Sequence, residues 1–215
     1  MLNAVRSDIL TAKNIATAAC LLAGRDKNLA KILEKHGPPP LWKRPQGFPT
    51  LVKIILEQQV SLASAAALYG RLSAAIDPFL PGRFIEAGEM HLRSLGVTRQ
   101  KASYLVRLAE HIEEKQLSLT ALSRMTDADV KLALMKVNGI GSWSADIYLL
   151  MAMRRADVWP AGDLALAATV MELKQLKGRP SQEQLTAVAE GWHPYRAVAA
   201  RMLWQHYLAA RKRKG

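Results

Sequence analysis

Apolar residues recur at helical spacing in roughly ten segments of this 215-residue chain, and the strict alternation a half-buried strand needs fails almost everywhere. Residues 3–22 and 26–36 read as two helices parted by Gly24-Arg25-Asp26, and Gly37-Pro38-Pro39-Pro40 cannot continue the second. From about residue 50 to 71 runs the longest apolar helical segment, interrupted by Gln58-Gln59. That interruption is either a polar face or a break between two helices. Leu92 to Ala102 reads as a helix–turn–helix with Gly96 ending the first arm and the second running to about Lys115. Arg99 and Lys101 near its start are either a backbone-binding pair or a solvated basic turn. Val130, Leu132, Leu134, Met135 and Val137 form the stripe of a further helix, started by Thr126 or Asp127 and stopped by Asn138-Gly139. Its successor starts at once, with Gly141 or Ser142 as cap. A helix from Leu164 to about Lys177 ends at Gly178-Arg179-Pro180, and Ser181 with Gln184 has the form of a capping box. Trp192-His193-Pro194-Tyr195-Arg196 opens the last helix, with Pro194 in its first turn and Tyr195, Val198, Met202, Leu203 and Tyr207 facing the core. The predicted fold is all-α, two helical lobes with a cleft between them. One lobe takes about residues 50–153, the other about 1–49 plus 154–215.

Charge narrows the partners. Lysine and arginine number 30 against 18 acids, a net +12, which points to a polyanion, most simply nucleic acid. The Arg211-Lys212-Arg213-Lys214 tail adds to this, or is a solvated frayed end. No apolar run reaches the roughly 18 residues a membrane span needs. Arg6, Asp8 and Lys13 break up the amino-terminal apolar stretch, which argues against a secretory signal. The expected setting is the cytoplasm or nucleoid of a bacterium, or a eukaryotic nucleus. A single cysteine, Cys20, excludes an intramolecular disulfide and a cysteine-ligated iron–sulfur cluster. The five histidines form no HxxxH or HExxH pattern, so no catalytic zinc is indicated.

The candidate chemistry lies between residues 127 and 170. Two helices joined by Gly139-Ile140-Gly141 make a tight hairpin, with Ile140 turned inward and pinning the turn. The amides at the head of the second helix then face outward with the helix dipole behind them, which suits a phosphate. Trp159-Pro160-Ala161-Gly162 breaks the chain, and Asp163 follows, 22 residues after Gly141 and at the head of a new apolar helix. Taken alone, a GxG between helices is usually a turn and an acid before a helix is usually its cap. Hairpin, spacing, Pro/Gly loop and acid together are far more specific.

GIGSWSAD, then a helix, then WPAGD resembles the helix-hairpin-helix DNA glycosylases, in which such a hairpin is followed by a Gly/Pro-rich loop and a catalytic aspartate. EQQVSLASA is similar to the stretch of 3-methyladenine DNA glycosylase II enzymes that carries the residue inserted into the DNA stack. LGVTRQKASYL and the WHPYR element have similar counterparts in that family, and the resemblance spans roughly residues 26–208. The amino-terminal sheet domain of some members has no counterpart here.

The resemblance implies an enzyme of base excision repair that releases alkylated, 3-methyladenine-like purines from double-stranded DNA with no required cofactor, and a monomer is the simplest expectation. Asp163 would be catalytic. Gln59 would be the wedge, with Gln58 and Ser61 beside it. Gly139, Gly141, Ser142 and Ser144 would hold phosphate, and Trp143, Trp42, Tyr148 and Trp159 would wall the base pocket, although Trp42 reads equally as core filler. The backbone carbonyls of Met135, Val137 and Gly139 would bind a structural Na+ or K+. Strand-cutting members carry a lysine where this chain has Trp143, so a monofunctional enzyme is expected that leaves an abasic site. Members close to 3-methyladenine DNA glycosylase II commonly have two adjacent aspartates in the loop, where this chain has Gly162-Asp163. Asp146 and Asp157 fit the catalytic role less well. The rival readings are a helix-hairpin-helix module that binds DNA without chemistry, and a glycosylase for hypoxanthine, oxidised guanine or mispaired adenine.

Overall fold

Polar side chains set the limits of most helices. Asp26, Ser61, Thr98, Thr126, Asp163 and Ser181 each precede a helix in extended backbone and accept from amides two or three residues on. Ser181 and Gln184 close the reciprocal box that the sequence predicts. The structure, a computed structural model, describes residues 8–212. Residues 3–7 of the first expected helix and Arg213-Lys214 of the basic tail lie outside that range.

Eleven α-helices occur among the described residues. They are α1 (Ile15–Ala23), α2 (Lys27–His36), α3 (Phe48–Glu57), α4 (Leu62–Ala75), α5 (Pro81–Ser94) and α6 (Arg99–Glu113). After a 3-10 turn at Ala121–Arg124 come α7 (Asp127–Met135), α8 (Ser142–Met151), α9 (Leu164–Leu173), α10 (Gln182–Glu190) and α11 (Arg196–Lys212). The protein is all-α as expected, and the described residues pair as β only in one isolated bridge, Ile9 with Arg155. No helix among them is long and apolar enough to cross a membrane. The chain divides into a middle unit, Arg44–Met153, and a terminal unit made of the described residues before and after it.

In the middle unit α3 is the core helix. Phe48, Leu51, Val52, Ile54, Ile55 and Leu56 are all buried, and α4, α6 and α8 pack on it. The unit begins at Arg44 because that residue is tied inward: its guanidinium clasps both Glu57 oxygens at 2.8 and 2.9 Å and its amide donates to Met151 O. Of the two readings of Gln58-Gln59, the break is the right one: α3 ends at Glu57 and Ser61 caps α4.

The terminal unit is built around α11. Ala197 to Trp204 are buried without exception, so this stretch is covered on every side, and α9, α2 and α1 do the covering. Arg201 lies within that run, its Nε donating to Leu41 O at 2.8 Å, and burial lowers its guanidinium to about 9. Three expectations need correction here. The first helix begins at Ile15, because Thr11 and Asn14 bond each other's backbone amides and Leu10 and Ala156 donate across the bridge instead. The helix after Asp163 ends at Leu173, where Lys174 leaves the helical region and Gln175 turns to φ 52°. Pro194 lies ahead of α11, behind a cis peptide, and the helix starts at Arg196.

Candidate functional site

The middle unit carries the hairpin. Thr126 caps α7, whose Val130 and Leu134 are buried, and α7 gives way at Lys136. Gly139 turns the chain at φ 94°, a conformation that favours glycine. Ile140 then drops inward to 4% exposure, as the sequence predicts, and Gly141 stands at the cap position of α8. A glycine cap has no side chain to accept from the first turn of α8, and nothing lies within 4 Å of where a Gly141 Cβ would be. Gly141 and Ser142 are exposed and Gly139 partly so. Across the hairpin, Lys131 of α7 pairs with Asp146 of α8 at 2.8 Å. Burial raises the Asp146 carboxyl above its ordinary value, and Lys131 and Ser142 pull it part of the way back.

Four expected site residues do other work. Ser144 is 3% exposed and its hydroxyl accepts from Gln58 Nε2 at 2.9 Å, so it does not present that hydroxyl to a phosphate. Gln58 also donates to Gly139 O at 2.8 Å, which makes it a strut between α3 and the hairpin and not a wedge. Gln59 beside it is exposed, at φ 57°. Tyr148 is fully buried and its hydroxyl accepts from the Gly47 amide at 3.0 Å, so its ring is core. Burial raises its phenol, and the Gly47 bond pulls the other way. In the terminal unit Trp159 is 9% exposed with its ring edge-on to Trp192, leaving little face for a base. Trp143 and Trp42 are each half-buried, Trp42 at φ 41°.

Two of the three carbonyls expected to hold a cation accept hydrogen bonds within the protein. The Gly139 carbonyl already accepts from Gln58, and the Val137 carbonyl accepts from the Ile140 amide at 3.0 Å. Each of these bonds leaves its carbonyl a second lone pair.

In the terminal unit the Trp159–Asp163 loop is wound tight, with Ala161 N donating to Trp159 O and Asp163 N to Pro160 O. It delivers Asp163 to the head of α9. There Oδ1 accepts from Ala165 N and Leu166 N, both at 2.9 Å, and from Trp204 Nε1 at 3.1 Å. Three N–H donors on one oxygen fix the carboxylate's position, and the residue stays partly exposed. The sequence reading did not include Trp204, which lies 41 residues further on, in the middle of an apolar helical run. The rival acids are occupied. Asp146 is closed inside the hairpin, and Asp157 is held by Arg196 at 2.8 Å and His193 at 2.7 Å.

A positive-φ glycine, an inward aliphatic, a glycine-capped helix and then an aspartate heading the next helix constitute a helix-hairpin-helix protein of the Gly/Pro-Asp kind. The chain belongs to the HhH-GPD superfamily of base excision DNA repair proteins, whose family model matches residues 52–194. DNA-3-methyladenine glycosylase 2 of Escherichia coli (strain K12) is 29% identical over 167 residues, covering 71% of this chain and 55% of that protein. YfjP of Bacillus subtilis (strain 168) is 28% identical over 186 residues, and the chain spans 65% of its length and 83% of its own. Among solved structures, a DNA-3-methyladenine glycosidase from Bacillus halodurans is 28% identical with a TM-score of 0.76, 90% of each chain being covered. Mag1 of Schizosaccharomyces pombe, solved with abasic DNA, shares the fold at a TM-score of 0.77 and 22% identity, covering 88% of this chain and 95% of that one.

Proposed function

We propose that this protein is a monofunctional DNA glycosylase that hydrolyses the N-glycosidic bond of alkylated purines of the 3-methyladenine kind in base excision repair. The observation that carries this reading is Asp163, a partly exposed carboxylate fixed by three N–H donors at the head of α9, in a chain of this repair family. The names of the relatives support the lesion class.

A base inside a duplex is out of reach, so the nucleotide is first extruded at a cost of a few kcal/mol. Hairpin amides around Gly139 to Ser142 hold the backbone, and Gln59 fills the gap left in the stack. Trp143 and Trp42, the predicted aromatics that are only half-buried, offer stacking worth about 1–3 kcal/mol per base. As the C–N bond breaks, the sugar takes on oxocarbenium character. A carboxylate about 4 Å away, at an effective dielectric near 20, stabilises that charge by roughly 4 kcal/mol. That is about three powers of ten in rate. The same group orients the attacking water. An alkylated purine is already cationic and departs without a general acid, which suits a site with one acid. Trp143 stands where strand-cutting members carry the lysine that attacks the sugar, so the strand is expected to stay intact.

The test is base release from duplex DNA bearing N-methylated purines. Asp163→Asn keeps the helix cap, because asparagine caps as well as aspartate. Its rate of release is expected to fall about a thousandfold while it still binds abasic DNA. Full release by Asp163→Asn, or none by the native protein on any alkylated duplex, refutes the reading.

A further inference from the structure

Two side-chain donations hold the backbone ahead of Gln59, and their donor has no part in the function proposed above. Lys101, in the first turn of α6, donates from Nζ to Leu56 O and to Gln58 O, both at 2.8 Å. It makes no ion pair among the described residues, and partial burial lowers its amine. From the other side Gln58 Nε2 holds Gly139 O and Ser144 Oγ. A lysine at a helix end commonly serves only to satisfy the last carbonyls. Here the clamped backbone does something more specific. It leaves α3 extended at Gln58 (ψ 125°) and enters the left-handed region at Gln59 (φ 57°). A non-glycine residue there is strained, and such strain persists where the surroundings over-determine it. The segment beyond the clamp is exposed from Gln59 to Leu62, with Val60 at 47% and Leu62 at 62%. An outward tip with apolar flanks matches the apolar faces of a parted base stack.

We infer that Lys101 is a positioning residue for base extrusion: by holding the Leu56 and Gln58 carbonyls it keeps Gln59 in the strained outward backbone from which it enters the stack. The inference rests on the reading of Gln59 as the wedge. It does not need base release, and that separates the two.

The experiment uses the full chain and a duplex carrying 2-aminopurine next to a stable abasic analogue, so that unstacking is read by fluorescence without chemistry. Lys101→Met is expected to lose most of the fluorescence rise at saturating protein. On alkylated duplex its kcat is expected to fall about tenfold, with KM within about twofold. Lys101→Arg, whose guanidinium also offers two parallel donors, restores both. Lys101→Gln can hold one of the two carbonyls; it gives an intermediate signal and replaces Lys101→Met where that variant does not fold. Native-like unstacking by Lys101→Met, or equal losses in the Met and Arg variants, overturns the inference. A native protein that unstacks the duplex but frees no base ends the glycosylase reading and leaves this one standing. A native protein that produces no unstacking ends this one.

Discussion

Gly139→Ala is the sharpest test of the hairpin, because the structure supplies both parts of its cost. The residue sits at φ 94°, where a side chain costs about 1–2 kcal/mol. An added Cβ would stand 2.7 Å from Tyr104 Cβ and closer still to the ring carbons Cγ and Cδ2. Those atoms lie at the root of the Tyr104 side chain, so rotating the ring does not clear them and α6 or the hairpin has to move. Overpacking of that kind adds about 1–3 kcal/mol. The sum, about 2–5 kcal/mol, is a large part of the 5–15 kcal/mol that holds a typical domain together. For a chain of this length each kcal/mol is about 2–4 °C, so the melting temperature should fall by roughly 5–20 °C. Denaturant titration of Gly139→Ala in the native and Tyr104→Ala backgrounds isolates the steric part. Once only the Tyr104 Cβ remains, the cost should drop by at least about 1 kcal/mol. A Gly139→Ala protein melting within about 1 °C of native, or a cost equal in both backgrounds, would refute the account of why glycine stands there.

Two further variants address the acids. Lys131→Met strips Asp146, whose side chain is 6% exposed, of its partner and should destabilise the fold by about 2–3 kcal/mol near pH 7. That lies below the usual cost of breaking a buried pair because Lys131 is itself 34% exposed. The Asp146 carboxyl is raised in the folded state, so its stabilisation is complete below the unfolded value near 3.9 and is lost as pH rises through the folded one. Removing Lys131 raises it further, so the deficit against native should grow between pH 4.5 and 7.5; a deficit independent of pH counts against this. Trp204→Phe keeps a ring in place but removes the N–H on Asp163, and base release should fall about tenfold with KM little changed. Unchanged release would show that the indole does not orient the carboxylate.

What was legible in the sequence was what neighbouring residues decide. The Ser181–Gln184 box, the Gly139 turn, the inward Ile140 and the position of Asp163 before α9 all depend on partners within a few positions. What was not legible depends on partners far along the chain. Gln58 reaches residues 81 and 86 positions away, Tyr148 is bonded from 101 away, and Trp204 reaches back 41 to Asp163. Periodicity says that a helix is amphipathic without saying which neighbour it meets. It therefore could not separate Ser144 and Tyr148, which face the core, from Trp143 just ahead of them. The start of α1 was misjudged for a different reason. Thr11 and Asn14 compete for backbone amides inside a sequence with good helical spacing, and the side-chain bonds prevail.

Asp163 shows why a structural role and a chemical one need not be alternatives. The cautious view of an acid ahead of an apolar helix is that it caps the helix, and it does so here with two amides. Capping is also what makes the group useful, since the helix amides and the Trp204 indole hold Oδ1 in one place, and preorganised charge is what stabilises a developing cation. The two roles separate by substitution. Asparagine retains the cap, whereas alanine costs about 0.5–2 kcal/mol of stability at such a position. If the carboxylate acts on the sugar, Asp163→Asn and Asp163→Ala lose base release equally while melting differently. If Asp163 only holds α9 in place, release follows melting, and the asparagine variant stays active.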